Sequence, residues 1–231
     1  MTTQGQPTSD YRQRLIDALA VVVARDGYGG AKIQDVVREA KVSLRTFYAE
    51  FPNKEECFLA LYEQVTTFLL ERLRRSITFE GPWREEMEKG FVAHFEILQS
   101  VPRVTYAMVV ELATLSDNAR RIRQSATDRL VDVICEQVEE GRRRYPEIPS
   151  RAVSPMMARA LMGGVFEMTV DVVIREEWHR LPELIEVSTD LMWSVVTNVE
   201  SPAGLDARAT ANTPNSGVID PEAPVEAGVR R

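Results

Sequence analysis

The chain has 231 residues, 44% hydrophobic and 27% charged, a balance that excludes a disordered or fibrous protein. Its net charge of −7 disfavours a polyanionic partner over most of the surface, and no apolar run approaches the roughly 18 residues a membrane span needs. Between Lys32 and Lys54 the balance reverses, with five bases against three acids, so contact with nucleic acid is expected at that end alone. Residues 1–9 are polar and read as a flexible N-terminus, not a signal peptide. Cys57 and Cys135 have no CxxC spacing and read as reduced core thiols. A cytoplasmic protein is expected.

Taken in chain order, the apolar spacing predicts helices almost throughout 10–200, an all-α fold without strand alternation. A first helix runs from about Asp10 to Arg25, with Leu15, Leu19, Val22 and Val23 on one side, and Gly27 ends it. A short second helix covers Ile33 to Ala40 and a third Ser43 to Tyr48; Pro52 and Asn53 then precede a long helix from Lys54. Pro82 opens a helix to about Gln99, and Pro102 opens another to about Leu115. Asp117 is placed to cap a long helix ending at Arg142-Arg143-Arg144, three charges that suit a helix C-terminus. Ser154-Pro155 opens a helix to about Glu177, and Pro182 begins the last one. From Ser201 the chain holds four prolines, six alanines and no aromatic residue, too little apolar bulk to offset ordering, so 201–231 is expected to be a disordered tail.

The chemistry concentrates in 33–51. Two short helices flank the tight turn Lys41-Val42, Ser43 caps the second, and Val36, Val37, Ala40, Val42, Phe47 and Phe51 supply a small core. That is the helix-turn-helix pattern, whose second helix enters the major groove N-terminus first. Leu44, Arg45 and Thr46 then occupy the leading turn. A guanidinium at Arg45 can bond guanine O6 and N7, while Tyr48 and Lys54 offer a hydroxyl and an ammonium to phosphates on the flanks.

Val42-Ser43-Leu44-Arg45-Thr46-Phe47-Tyr48, followed by Phe51-Pro52-Asn53-Lys54-Glu55-Glu56, strongly resembles the DNA-binding domain of the TetR family of regulators over about Arg12 to Leu61. The resemblance implies an all-helical homodimer that binds a palindromic operator in double-stranded DNA. Three N-terminal helices would hold the DNA, and the remaining helices would form a ligand-binding and dimerisation domain. It places Leu44, Arg45, Phe47 and Tyr48 on or beside the recognition helix and makes Lys54 similar to the family's phosphate-contacting lysine. Three departures stand out. Ala31 occupies the position where the family usually has a capping threonine, with Lys32 beside it as a substitute phosphate contact; Lys41 replaces a common turn glycine; and Leu44-Arg45 replaces a common basic-glycine pair. The DNA-binding set is therefore Lys32, Ser43, Leu44, Arg45, Thr46, Phe47, Tyr48 and Lys54.

Beyond residue 54 the resemblance is architectural. The domains expected are 1–9, flexible; 10–53, DNA-binding; 54–200, effector-binding and dimerising; and 201–231, tail. The middle helices carry adaptable apolar groups, and Phe68, Phe91, His94, Phe95, Tyr106, Met108, Met162 and Phe166 are the candidates to line an effector cavity. Their density, with few charged residues beside them, predicts a small apolar effector that releases a repressor from DNA. Gly163-Gly164 weakens its helix by about 1 kcal/mol per glycine, a cost that suits close helix contact across a dimer. Met192, Trp193 and Val196 of the last helix are expected to share that surface, because the family dimerises through its last two helices.

Two other readings remain open. A helix-turn-helix protein can act without a ligand, under control of a partner protein. A helical-bundle enzyme is the remoter alternative: Glu176 and His179 give one Glu-x-x-His, but a di-iron centre needs two such pairs. No phosphate loop, GxSxG or HExxH occurs. Neither catalysis nor a metal or other cofactor is expected.

Overall fold

The computed structural model describes residues 10–198, and every regular element within them is a helix. The expectations for 1–9 and 201–231 lie outside the described residues. α1 (Asp10–Gly30) buries Leu15, Leu19, Val22 and Val23, the stripe its sequence repeat supplies. It is broken at Gly27, whose φ of 74° and ψ of 166° strain any residue with a Cβ. α2 (Ile33–Ala40) and α3 (Leu44–Glu50) follow where expected. The turn between them departs from the easy solution. Lys41 is left-handed, at φ 53° and ψ 46°, which lets the Val42 N–H reach the Val37 carbonyl at 3.0 Å. A lysine bears a steric cost there that glycine would not.

α4 (Lys54–Ser76) starts on Asn53, whose side chain accepts from the Glu56 N–H at 2.8 Å. Its apolar face, with Cys57, Phe58 and Leu59 buried, closes the core of the first three helices. That core does not stop at residue 53. Val104, Ala107, Leu112 and Ala119 belong to the same cluster, so α1 packs on later elements as well as on α2 and α3.

α5 (Trp83–Ser100) is tied to the loop before it by Glu86. This buried carboxylate accepts from the N–H groups of Thr78, Phe79 and Gly81 at 2.8, 2.9 and 3.0 Å and pairs with Lys89. Burial alone would raise its pKa, but these donors outweigh burial and hold it at about 2.

Three expected boundaries shift. The helix from Pro102 is only α6 (Pro102–Tyr106); it widens into a π turn at Ala107–Glu111 and tightens into a 3-10 turn at Leu112–Thr114. Ser116, rather than Asp117, caps α7 (Asp117–Arg144), accepting from the Ala119 N–H at 3.3 Å. α8 (Pro155–Ile174) ends before the expected Glu177 because Glu176 turns left-handed at φ 56°, and the Glu177 N–H bonds back to Val172 at 3.0 Å. Glu176 and His179 thus share no helical face, and the Glu-x-x-His spacing forms nothing. Among the described residues no cluster of three or more His, Cys, Asp or Glu could hold a metal ion. No helix among them is long and apolar enough to cross a membrane.

α9 (Glu183–Thr197) packs on α5 and α8. At this end Trp83 is buried, stacked on Tyr145 at 5.8 Å and edge-on to Trp193 at 5.9 Å. Gly141 makes room for it: a Cβ there would lie 2.2 Å from the indole.

Candidate DNA-binding surface and effector cavity

The leading turn of α3 is open to solvent. Leu44 is 41% and Tyr48 53% exposed, and Ser43 and Arg45 are also exposed. The Ser43 hydroxyl accepts from the Thr46 N–H at 3.0 Å and shares a 2.8 Å hydrogen bond with the Thr46 hydroxyl, which fixes the direction of that turn. Arg45 has no ion-pair partner among the described residues. Two members of the expected set sit elsewhere. Phe47 has no exposed surface and packs 6.0 Å from Phe51, so it supports α3 from beneath and cannot touch a base. Lys54 directs its ammonium at the protein, donating to the carbonyls of Tyr28 and Ala31 at 2.7 and 2.9 Å and lying 4.1 Å from the Tyr28 ring. Burial pulls its pKa below the ordinary lysine value, with Glu111 opposing. The expected phosphate role thus gives way to a brace in this structure.

The cap of α2 also differs from expectation. Lys32 is the cap residue, exposed and without a side-chain bond, while Ala31 is buried. Sequence reasoning missed two further braces. Arg12 donates to the Glu50 carbonyl at 3.0 Å with its guanidinium 4.2 Å from the Phe51 ring, and Arg14 donates to the Ala40 carbonyl. Arg12, Arg14 and Lys54 together satisfy carbonyls at the ends of α3, α2 and α1, where helices lack internal donors. The positions of Arg12 and Arg14 on α1 gave no signal, since their partners lie 38 and 26 residues away in sequence.

Behind this end lie two adjoining cavities, of about 510 Å³ and about 70 Å³, that share Leu69, His94, Leu130 and Met162 on their walls. One stripe of α7 lines both, from Arg120 and Arg123 through Thr127 and Leu130 to Ile134 and Gln137. Of the expected lining residues, Phe91, His94, Met108, Met162 and Phe166 are on the walls. Phe68 is 57% exposed, Phe95 is buried in a separate cluster with Val165 and Leu181, and Tyr106 lines neither cavity. The larger cavity carries Arg120, Arg123 and Arg159, and neither wall includes a carboxylate. Arg120 pairs with Asp117 and Arg159 with Asp128, whereas Arg123 has no acidic partner among the described residues and lies 5.8 Å from the Phe166 ring. Burial lowers the His94 pKa to about 4, so its imidazole is neutral at pH 7.

The expected dimer residues divide. Met192 and Val196 are buried against the cluster around Trp83, and Trp193 is half-buried on Trp83 itself, so all three serve the chain's own core. Gly163 and Gly164 are exposed, and a Cβ at either would meet nothing within 4 Å. Met156, Ile174, Val187 and Leu191, which the sequence reading passed over, are exposed on the same two helices.

Residues 15–61 match the family model described as bacterial regulatory proteins, tetR family. The chain is 23% identical over 190 residues to the fatty acid metabolism regulator protein of Bacillus subtilis, covering 80% of this chain and 95% of that one. It is 41% identical over 70 residues to the nicotine-responsive transcriptional repressor HdnoR of Paenarthrobacter nicotinovorans, covering 30% of this chain and 34% of that one. Among solved structures, FadR of Bacillus subtilis in complex with stearoyl-CoA superposes with a TM-score of 0.64 at 20% identity, over 81% of this chain and 98% of that one. FadR of Bacillus halodurans gives 0.65 at 20% identity, over 82% and 96%. With a capped helix-turn-helix at residues that match the family model, residues 15–61 are a DNA-binding domain of the TetR family of regulators, joined to an all-helical body of the same fold as these relatives.

Proposed function

We propose that the protein is a dimeric repressor in the cytoplasm that binds a palindromic operator and leaves it when a small molecule fills the cavity beside α7. Residues 10–53 form the DNA-binding domain and 54–200 the effector-binding and dimerising one. One observation carries the coupling. The π turn puts Met108 and Val109 on the cavity wall, while Glu111 of the same turn accepts from the Gly29 N–H at 3.3 Å, at the end of α1. Filling the cavity and positioning α1 to α3 therefore act on one short segment, so a ligand that prefers one position of that segment shifts the other end.

The arginines amend the expectation of a purely apolar effector. An apolar chain with an anionic end suits walls that otherwise mix apolar side chains with a few uncharged polar ones, and the stearoyl-CoA bound by the FadR relative is a compound of that kind. At the DNA, Arg45 reads base edges, Ser43 and Tyr48 contact phosphate, and Leu44 packs on bases. Lys32 contacts a flanking phosphate. The dimer uses the exposed face of α8 and α9 around Gly163, Gly164, Val187 and Leu191.

Selection of bound sequences from random DNA with the purified protein tests this reading, followed by titration of the selected complex with stearoyl-CoA. A two-fold symmetric site, a dimer by sedimentation and release on titration are expected. A monomer bound to an asymmetric site, or a DNA complex indifferent to every amphipathic anion tried, would overturn it.

A further inference from the structure

The smaller cavity is apolar except at two places. Leu73, Ile77, Trp83, Met87 and Val138 are typical of its wall, and His94 and Gln137 are the polar side chains on it. Neither is satisfied within the protein. Gln137 Oε1 is buried without a hydrogen-bond partner, and the His94 imidazole has no hydrogen-bond partner among the described residues, its ring meeting only the edge of Phe95 at 5.1 Å. Buried polar groups in native proteins are almost always paired. One buried unpaired acceptor, Gln137 Oε1, and a half-buried His94 without a partner on the same small chamber mark a place where a ligand atom completes the pairing.

We propose that the effector is an amphipathic anion whose apolar chain carries a hydroxyl near its middle, held between His94 and Gln137. This rests on the reading of the cavity as the effector site and adds the chemistry that site selects. A hydroxyl both donates and accepts. It can donate to Gln137 Oε1, or accept from the amide nitrogen should the amide turn over. A neutral imidazole offers one donor and one acceptor, so the same hydroxyl fits His94 in either tautomer. An unsubstituted chain would remove both groups from water and return nothing, and sites built for a hydroxyl discriminate strongly against analogues that lack it.

The position of the hydroxyl follows from α7. Arg123, unpaired at the larger cavity, receives the anionic end. Leu130, which shares both cavities with His94, lies two helical turns farther on, about 10 Å along the axis, and Gln137 lies about 20 Å along it. The hydroxyl is thus separated from the head by a long apolar stretch that passes Thr127 and Leu130. A hydroxyl beside the carboxyl carbon would remain at the arginines and gain nothing.

The test is calorimetric titration of the full-length protein, without DNA, with stearate and two hydroxylated stearates. One carries its hydroxyl mid-chain and the other on the carbon next to the carboxylate. The mid-chain analogue is expected to bind at least tenfold more tightly than either of the others. In Gln137→Leu and His94→Leu the ratio of affinities between the mid-chain analogue and the unsubstituted compound is expected to shrink severalfold each, whatever either substitution does to the unsubstituted compound alone. Melting temperature serves as the folding control, and Gln137→Leu should not lower it, because it removes an unpaired buried acceptor. Equal affinity for all three compounds, or an advantage that survives both substitutions, would overturn the hydroxyl and leave the effector site standing. Binding of none of them would overturn both.

Discussion

The DNA-binding end and the cavity region are built from the same element, the amphipathic helix, yet they hold their polar groups in opposite states. At the DNA-binding end Arg12, Arg14 and Lys54 are bonded to helix-end carbonyls, and the exposed groups of α3 stand on a fully packed floor of Phe47 and Phe51. Around the cavities, Gln137 Oε1 of α7 is buried and unbonded, His94 of α5 has no hydrogen-bond partner, and Arg123 of α7 has no acid beside it. The contrast teaches how rigidity and responsiveness can share one chain. A reading head must keep its geometry to place a guanidinium on a base, so its supports are satisfied. In the chamber proposed to take the effector, unsatisfied groups gain hydrogen bonds when a ligand arrives.

The largest test of that contrast compares two phenylalanines. Phe47→Ala is expected to destabilise the protein by about 3–5 kcal/mol, as a fully buried aromatic side chain under α3 is lost. Phe68→Ala, at an exposed site, should fall within about 0.5 kcal/mol of the parent. Urea denaturation of both decides it; equal losses would mean that Phe68 is covered in the working protein, by a partner copy or by the effector.

Acid next separates an unbonded group from a bonded one on the same helix, α5. Folding holds His94 neutral, with a pKa of about 4 against about 6.5 in an unfolded chain. Because the unfolded state binds the proton first, this stability is complete above pH 6.5 and is lost as pH falls toward 4, up to about 3 kcal/mol. The Glu86 share, with a folded pKa of about 2, is lost only below about pH 4.3, so the two windows are distinct. In His94→Phe the slope of stability between pH 6.5 and 4.5 should flatten. A slope that persists would place its origin outside the cavity.

On DNA, Arg45→Ala is expected to cost about 1–3 kcal/mol per half-site and to relax base preference at one position in each. Lys54→Met should act differently from the loss of a phosphate contact. Removing a cation that braces the end of α1 should lower the melting temperature together with affinity, with little change in salt dependence. If Lys54→Met melts like the parent and flattens the salt slope instead, the ammonium leaves its carbonyls for phosphate on the operator.

The smallest effects concern backbone. Lys41→Gly relieves a left-handed lysine and is expected to stabilise by about 1 kcal/mol. Gly163→Ala and Gly164→Ala should each stabilise α8 by a similar amount in the isolated chain, since nothing in it opposes a Cβ there. A weaker dimer despite that gain, read by sedimentation, would show that the second copy approaches at these glycines. An unchanged dimer would move the contact to Val187 and Leu191.

What the sequence by itself determined is local. The extents of α2 and α3, the Ser43 cap and the all-helical class rest on spacings of three and four residues, which a chain displays without folding. The matching of 15–61 to one family is legible for the same reason: a capped turn of fixed length tolerates few residue choices. Tertiary structure decided everything that depends on which residues meet. Phe47 reads from sequence both as part of the small core and as a DNA contact, and packing decides for the core, leaving its neighbour Tyr48 in solvent. Met192, Trp193 and Val196 read as an interface until Trp83, more than a hundred residues earlier, covers them. The cavity is the clearest case. Arg123, Leu130 and Gln137 are ordinary turns of a charged helix until α4, α5 and α8 close over one stripe of it. Helical periodicity is written every few residues, whereas a cavity walled by several helices belongs to no single segment.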